Sequence, residues 1–296
     1  MKSKFNTEFI NQLLNKENIE AGLYIIATPL GNLSDITIRS LNILSISSIV
    51  YCEDTRVSKK LTSKFGISCK LKPFHKYNFI KILPEIIYKL QNGEIISLIS
   101  DAGTPLISDP GFELVRECRE NNIEVYSIPG PSAVIASLVS SGLPTDNFVF
   151  LGFFPRTNKE IKKFLKRTSE SLETIIFFES PKRLHKTINL LNNEINNRKI
   201  AIIRELTKKN EEIIYGDCSI IIEKLNNYKE IKGEVTIVVS PSNEKNIQTI
   251  SDKELLFLIR KKIKYNYSIP DLSNELSEQL GIPRRRIYQM ALKLKN

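Results

Sequence analysis

From residue 22 to about 129 the chain alternates short β-branched apolar runs with stretches of helical periodicity. GLYIIAT at 22–28 leads into a helix through Ile36 to Leu44, and SIVYCE at 48–53 into one near Ser58 to Phe65. IISLIS at 95–100 precedes a helix from Phe112 to Asn121, and VYSIP at 125–129 closes the series. Strand, crossover, strand in this rhythm predicts a parallel α/β sheet. After Pro129 the pattern changes. GPSAVIASLVSSGL has helical character, and FVFLGFFP, ETIIFFES, KIAIIREL, EEIIYG and GEVTIVVS follow as strands. Several adjacent strands without intervening helices predict a mixed second sheet. Ser240 to Asp252 has linker composition, and a helical tail lies beyond it. The expected division is an N-terminal extension (1–21), a first α/β domain (22–129), a second (130–240) and a tail (251–296).

Composition narrows the class. With 41% hydrophobic and 26% charged residues over 296 positions, the chain has enough apolar content for a core, which excludes disorder as its overall state. No apolar run approaches the roughly 18 residues that span a bilayer, and the start of the chain is polar and carries Glu8 and Glu17, so a cytoplasmic protein with no membrane partner is expected. Cys52, Cys69, Cys118 and Cys218 are scattered, and His75 and His185 are the only histidines. Neither a zinc knuckle, a disulfide framework nor a histidine-based metal cage is expected.

The net charge of +10 favours a polyanionic partner. Half of it sits in residues 251–296, which carry ten basic and five acidic side chains. Within that tail, Leu272, Leu276 and Leu280, a break at Gly281, and Ile287, Tyr288 and Ala291 have the spacing of a helix-turn-helix. Arg284, Arg285 and Arg286 open its second helix, where a nucleic-acid-reading unit makes backbone contacts. A helical hairpin with a solvated basic face fits the tail equally well.

No G-x-G-x-x-G and no G-x-x-x-x-G-K-[ST] occurs, which argues against an ordinary dinucleotide fold and a P-loop. Instead the first strand runs into TPLGNLSDIT (28–37), at the strand end where open α/β sheets bind ligands. Taken alone, an ordinary turn with Gly31 at the bend and Ser34 or Asp35 as N-cap describes that loop better. DAGTPLISDPG (101–111) is different: two aspartates, two prolines and two glycines exceed what joining a strand to a helix requires. IPGPSAVIAS (128–137) is a third such turn, and three loops of this kind at strand ends imply one shared cleft.

The ordered set TPLGNLSDIT, EDTR (53–56), SDAGTPLISDPG, PGPSA, GFFP, FFES, RELTK and KGE resembles the RsmI family, the 16S ribosomal RNA cytidine 2′-O-ribose methyltransferases of the tetrapyrrole-methylase superfamily. The resemblance covers residues 21–240 closely and the tail more loosely. It implies a two-domain tetrapyrrole-methylase-like α/β fold, usually a homodimer, with S-adenosylmethionine held between the domains. The implied substrate is a cytidine ribose in the decoding centre of 16S rRNA, met either as naked rRNA or in the assembled 30S subunit. Position by position it places the cofactor on Pro29, Leu30 and Gly31, on Asp101, Gly103, Thr104 and Pro105, and on Ser132 and Ala133. Phe178 is expected to line the adenine pocket.

A neutral ribose hydroxyl is a poor nucleophile and needs a group to share its proton. Glu53, Asp54 and Arg56 are the first candidates, with structural pairing of Asp54 to Arg56 as the competing account. Lys182, Arg183 and Lys208 are expected at RNA phosphates, together with Arg284, Arg285 and Arg286; Glu179 and Glu205 are left without a role. Two other functions compete: carbon methylation of a tetrapyrrole precursor, which leaves a basic tail without a purpose, and a ligand-sensing regulator whose tail binds nucleic acid.

Overall fold

The computed structural model describes residues 19–195, 198–242, 252–265, 267–280 and 284–295. The expected extension up to residue 18, most of the expected linker, and Gly281 and Pro283 of the tail lie outside them.

The first half forms five strands: β1 (Gly22–Ile26), β2 (Ile49–Cys52), β3 (Leu71–Pro73), β4 (Ile95–Ile99) and β5 (Val125–Ile128). They pair in the order β3-β2-β4-β1-β5, all parallel. Every residue of β1 is buried, as expected for a parallel strand covered on both faces. Leu23 and Ile25 pack to one side with Ile86, Leu90, Leu114 and Cys118, from helices α3 (Phe79–Gln91) and α4 (Phe112–Glu120). Tyr24 and Ile26 pack to the other with Ile43, Leu44 and Leu61, from α1 (Ile38–Ile46) and α2 (Thr55–Lys64). The helix after β1 and the helix after the neighbouring β4 therefore cover opposite faces. The chain parts between these strands and leaves a crevice at their carboxyl ends, the position where open α/β sheets hold ligands.

The second half builds another five-stranded sheet from β6 (Phe148–Phe153), β7 (Thr174–Glu179), β8 (Ile200–Arg204), β9 (Glu212–Gly216) and β10 (Val235–Val239), in the order β6-β7-β10-β8-β9. It is mixed: β6 and β7 are parallel and the other neighbours antiparallel. The expectation of strands without helices between them holds for β8 and β9 alone, because α6 (Asn158–Glu170), α7 (Pro181–Glu194) and α8 (Cys218–Asn226) make the other connections and cover one face. Their polar faces hid them. In α6 only Ile161, Phe164 and Leu165 are apolar among thirteen residues. β3 and α3 also go unread, the first because it is three residues long and the second because an interior proline, Pro84, argues against a helix although the apolar face from Phe79 to Leu90 is unbroken. The other face of this sheet carries α5 (Ala133–Ser140), whose Val134 and Leu138 pack with Ile176, Ala201, Ile203 and Val238.

The tail forms α9 (Asp252–Lys264), α10 (Ile269–Leu280) and α11 (Arg284–Lys295) around Leu255, Ile259, Leu272, Leu276, Ile287 and Ala291. The expected helix pair is present and a third helix completes its core. Tyr288 is 37% exposed and stands outside that core.

Candidate functional site

Three loops at the carboxyl ends of β4, β1 and β5 are tied to each other. Thr28 and Gly103 exchange main-chain hydrogen bonds at 2.8 and 2.9 Å, and the Thr104 hydroxyl donates to the Pro131 carbonyl at 3.0 Å. Gly103 has φ +81°, and a Cβ there would lie 3.0 Å from Leu30 Cδ2, so close approach and backbone hand both require glycine. Leu106 and Ser108 hold positive φ values of 71° and 70° in the same loop. Side chains avoid that region except where the surroundings enforce it, and functional sites are where it recurs.

The second sheet closes the crevice because of its antiparallel register. Val235 pairs with Glu179 on one side and with Arg204 on the other, so the ends of FFES, KGE and REL meet at one edge. The enclosed cleft has a volume of about 390 Å³. One wall carries Leu30, Glu53, Asp101, Gly103, Thr104 and Asp109, with Ser132 and Ala133 at the start of α5. The opposite wall carries Phe153, Phe178, Ser180, Pro181 and residues 233–236. Phe178 packs edge-on to Phe150 and Phe153 at ring separations of 4.9 and 5.3 Å.

The expected cofactor residues Leu30, Asp101, Gly103, Thr104, Ser132, Ala133 and Phe178 are thus brought together. Pro29, Gly31 and Pro105 stand outside the lining. The side-chain stem of Lys208 instead lies where a Cβ on the exposed Gly31 would project, and Asn32 N–H donates to the Thr207 hydroxyl at 3.1 Å, so the first loop docks on RELTK.

The candidate acid–base residues separate. Asp54 caps α2 through the Arg56 N–H at 2.8 Å, and the Arg56 guanidinium grips its carboxylate at 2.6 Å. These hydrogen bonds hold Asp54 down at about 2, which makes it a poor proton acceptor. Structural pairing is therefore the account that fits Asp54 and Arg56, while Glu53 faces the cleft. Asp109, to which the sequence alone gives no role, lines the cleft too. Burial raises its carboxyl to about 6, with the charges of Glu53 and Asp101 adding. Asp101 is raised by burial as well, and its Oδ1 accepts the Asp54 N–H at 3.1 Å. The SDPG turn was the available signal for Asp109: an aspartate before proline and glycine in an already over-specified loop.

Two residues expected at RNA phosphates are committed within the fold. Arg183 donates to the carbonyls of Phe154, at 3.2 Å, and Pro155, and lies 3.5 Å from the buried Glu179 carboxylate. Lys208 Nζ is held by Glu205 at 2.9 Å and Glu234 at 3.2 Å. Lys182 and Arg284–Arg286 are exposed. Glu179 serves the fold, accepting from Ser180 N–H at 2.6 Å and from Thr187 Oγ1 at 2.5 Å.

Among the described residues no cluster of His, Cys, Asp or Glu could hold a metal ion, and no helix is long and apolar enough to cross a membrane. The profile of the Tetrapyrrole (Corrin/Porphyrin) Methylases matches residues 22–220. A protein of Mesorhizobium japonicum named ribosomal RNA small subunit methyltransferase I is 38% identical over 279 residues, covering 94% of each chain. Its namesake from Rickettsia prowazekii is 41% identical over 246 residues, 83% of this chain and 88% of its own. Among solved structures, diphthine synthase superposes with a TM-score of 0.59 at 15% identity, over 74% of this chain and 89% of its own. Cobalt precorrin-4 methyltransferase gives 0.53 at 16% identity, over 74% and 94%. These two likenesses speak to the fold, and the sequence relatives go further: the chain belongs to the ribosomal RNA small subunit methyltransferase I family of the tetrapyrrole methylases.

Proposed function

We propose that this protein uses S-adenosylmethionine to methylate the 2′-hydroxyl of a cytidine ribose in the decoding centre of 16S rRNA. The observation that carries the reading is the cleft itself, three carboxylates facing an aromatic wall across a space of about 390 Å³. That volume lies in the range of small-molecule sites, roughly 300–1,000 Å³. The donor set fits the cofactor: carboxylates favour a cationic sulfonium, Phe153 and Phe178 offer faces and edges to a purine, and the glycine-bearing loops let main chain approach.

When bound, S-adenosylmethionine supplies a methyl group from a positively charged sulfur. The chain's own work is orientation and proton handling. Leu30, Gly103, Thr104, Ser132 and Ala133 hold the cofactor from one side and Phe178 from the other, which fixes the line of attack, the largest single contribution to such a transfer. Asp109, ionised at neutral pH yet far more basic than Asp54, accepts the proton of the attacking hydroxyl at its carboxylate. Burial keeps that carboxyl basic, and the charges of Glu53 and Asp101 add to it. A homodimer in the cytoplasm belongs to the same proposal; exposed Ile135 and Val139 on α5 give it an apolar face to cover, and sedimentation velocity reads it directly.

The test is the ribose. Ribosomal RNA from cells lacking the protein should carry an unmodified cytidine 2′-hydroxyl in the decoding centre, restored by the purified protein with S-adenosylmethionine. Normal methylation in those cells sinks the assignment. Tetrapyrrole methylation is the weaker reading, because it leaves the net +5 carried by residues 251–296 without a purpose.

A further inference from the structure

Outside the tail the chain carries 33 basic and 28 acidic residues, an apparently unremarkable net +5. The whole of that excess is matched by one short stretch. Residues 156–167 contain Arg156, Lys159, Lys162, Lys163, Lys166 and Arg167 against Glu160 alone. All six cations are exposed. Five of them lie on α6, where spacings of three and four gather them into one stripe, while Ile161, Phe164, Leu165 and Thr168 face the core. Phe164 anchors that inner face against Phe154 and Phe177 at ring separations of 4.9 and 5.1 Å.

Two features separate this stripe from an ordinary solvated helix face. The first is its imbalance: α6 carries five cations against two acids, Glu160 and Glu170. On α4 the arginines are balanced, Arg116 by Glu120 at 3.7 Å and Arg119 by Glu124 at 3.9 Å. On the stripe only Lys166 has an ion-pair partner among the described residues, Glu170 at 3.8 Å. Like charges one turn apart oppose helix formation, so folding does not favour this pattern. The second feature is position. The stripe starts three residues after Phe153, which lines the cleft, and Arg183 pins the intervening Phe154 and Pro155 carbonyls. Helix α7 starts at Pro181, also in the cleft lining, and adds exposed Lys182 and Lys186 one turn apart.

We propose that the α6 stripe is a phosphate-binding ridge that grips the RNA backbone from the cleft rim outward, running toward Val149 and Ile175 at the starts of β6 and β7, a contact surface distinct from the tail. The inference rests on the RNA-methylation reading for the identity of the RNA, and it gives the ridge the role that Arg183 and Lys208, tied down inside the fold, do not fill. Over thirteen residues the helix extends roughly 20 Å, enough to meet several successive phosphates.

The experiment uses the full chain with Lys159→Gln, Lys162→Gln, Lys163→Gln and Lys166→Gln combined, none of which lines the cleft. Binding of a small-subunit rRNA fragment is measured across a salt series. Each phosphate contact contributes roughly 0.7–0.9 to the slope of log affinity against log salt, so the slope should flatten by about 3. At about 0.1 M salt the affinity should fall at least tenfold, with KM for RNA raised, the rate at saturating RNA retained and S-adenosylmethionine affinity unchanged. An unchanged slope and affinity overturn the ridge. Full affinity for the naked fragment with lost affinity for the assembled small subunit also overturns it, assigning the stripe to a ribosomal protein. Should the wild-type chain bind the fragment through the ridge yet transfer no methyl group, the methylation reading fails and the ridge stands.

Discussion

The two walls of the cleft are built on different principles. The first sheet is all parallel, so its strand ends gather loops, and those loops bring Glu53, Asp101 and Asp109 into one space. The second sheet is mixed, and it brings FFES and KGE together by antiparallel register, presenting aromatic rings and main chain with its one buried carboxylate, Glu179, already satisfied. The carboxylates Glu53, Asp101 and Asp109 therefore reside on one wall and the aromatic rings on the other, where Glu234 is paired with Lys208. Variants on the first wall should alter catalysis and its pH dependence, whereas variants on the second should alter affinity alone.

The largest effect is expected at Gly103. Gly103→Val places a branched side chain at φ +81° against Leu30 and disturbs the Thr28 bridge, so S-adenosylmethionine binding should fall more than a hundredfold by calorimetry. A thermal melt checks that the fold persists. Unchanged affinity would remove this loop from the site.

Asp109→Asn comes next, and it separates function from stability. The rate constant kcat/KM should drop about 10²- to 10³-fold, the usual worth of a positioned base, and its acidic limb near pH 6 should vanish. Stability should move the other way. The carboxyl is raised from 3.8 to about 6 in the folded chain, so the folded state holds its proton more tightly than the unfolded one. Wild-type stability is thus lost as pH rises from about 4 to 6, and the deficit persists above that window. The asparagine variant, free of it, should melt higher at pH 7–8. A variant both fully active and no more stable would dismiss Asp109 as the proton acceptor.

The first wall was far more legible in the sequence than the second. Gly103 and its neighbours stand out because constrained residues cluster in eleven positions of one loop, a local signal. Asp109 sits in that loop but draws its character from burial beside Glu53 and Asp101, which only the fold creates. The second wall depends on pairing between residues 179 and 235, and on helices whose polar faces mask them; sequence spacing says nothing of either. Arg183 and Lys208 show the same limit. A basic residue in a motif can serve a phosphate or a carbonyl, and the choice is made by what the chain brings near. The basic run at 156–167 is contiguous in the sequence, but that five of its cations share the outer face of one helix is shown only by the fold.

Phe178→Ala probes the second wall and should cost about tenfold in S-adenosylmethionine affinity, the scale of one lost aromatic contact, with kcat and its pH profile nearly unchanged. Phe153, 63% exposed at the rim, should matter less. A pH profile displaced by Phe178→Ala would mean that the walls are coupled, and the division of labour between them would have to be given up.

The smallest effect is expected at Arg56, and its smallness is informative. The guanidinium is 87% exposed and its hydrogen bonds among the described residues run to Asp54, two positions away, at the cap of α2. Solvent screens exposed pairs of this kind, so they contribute little to stability. Arg56→Ala should therefore change kcat/KM less than threefold, leave the melting temperature within a degree or two, and let the Asp54 carboxyl rise from about 2 toward its ordinary range. That rise removes a contribution that exists only above about pH 4, small because the pair is exposed, so any stability deficit of the variant shows above that pH and vanishes as pH falls toward 2. A hundredfold loss at neutral pH would instead restore Arg56 to the reacting groups and shift the centre of the chemistry from Asp109 toward the start of α2.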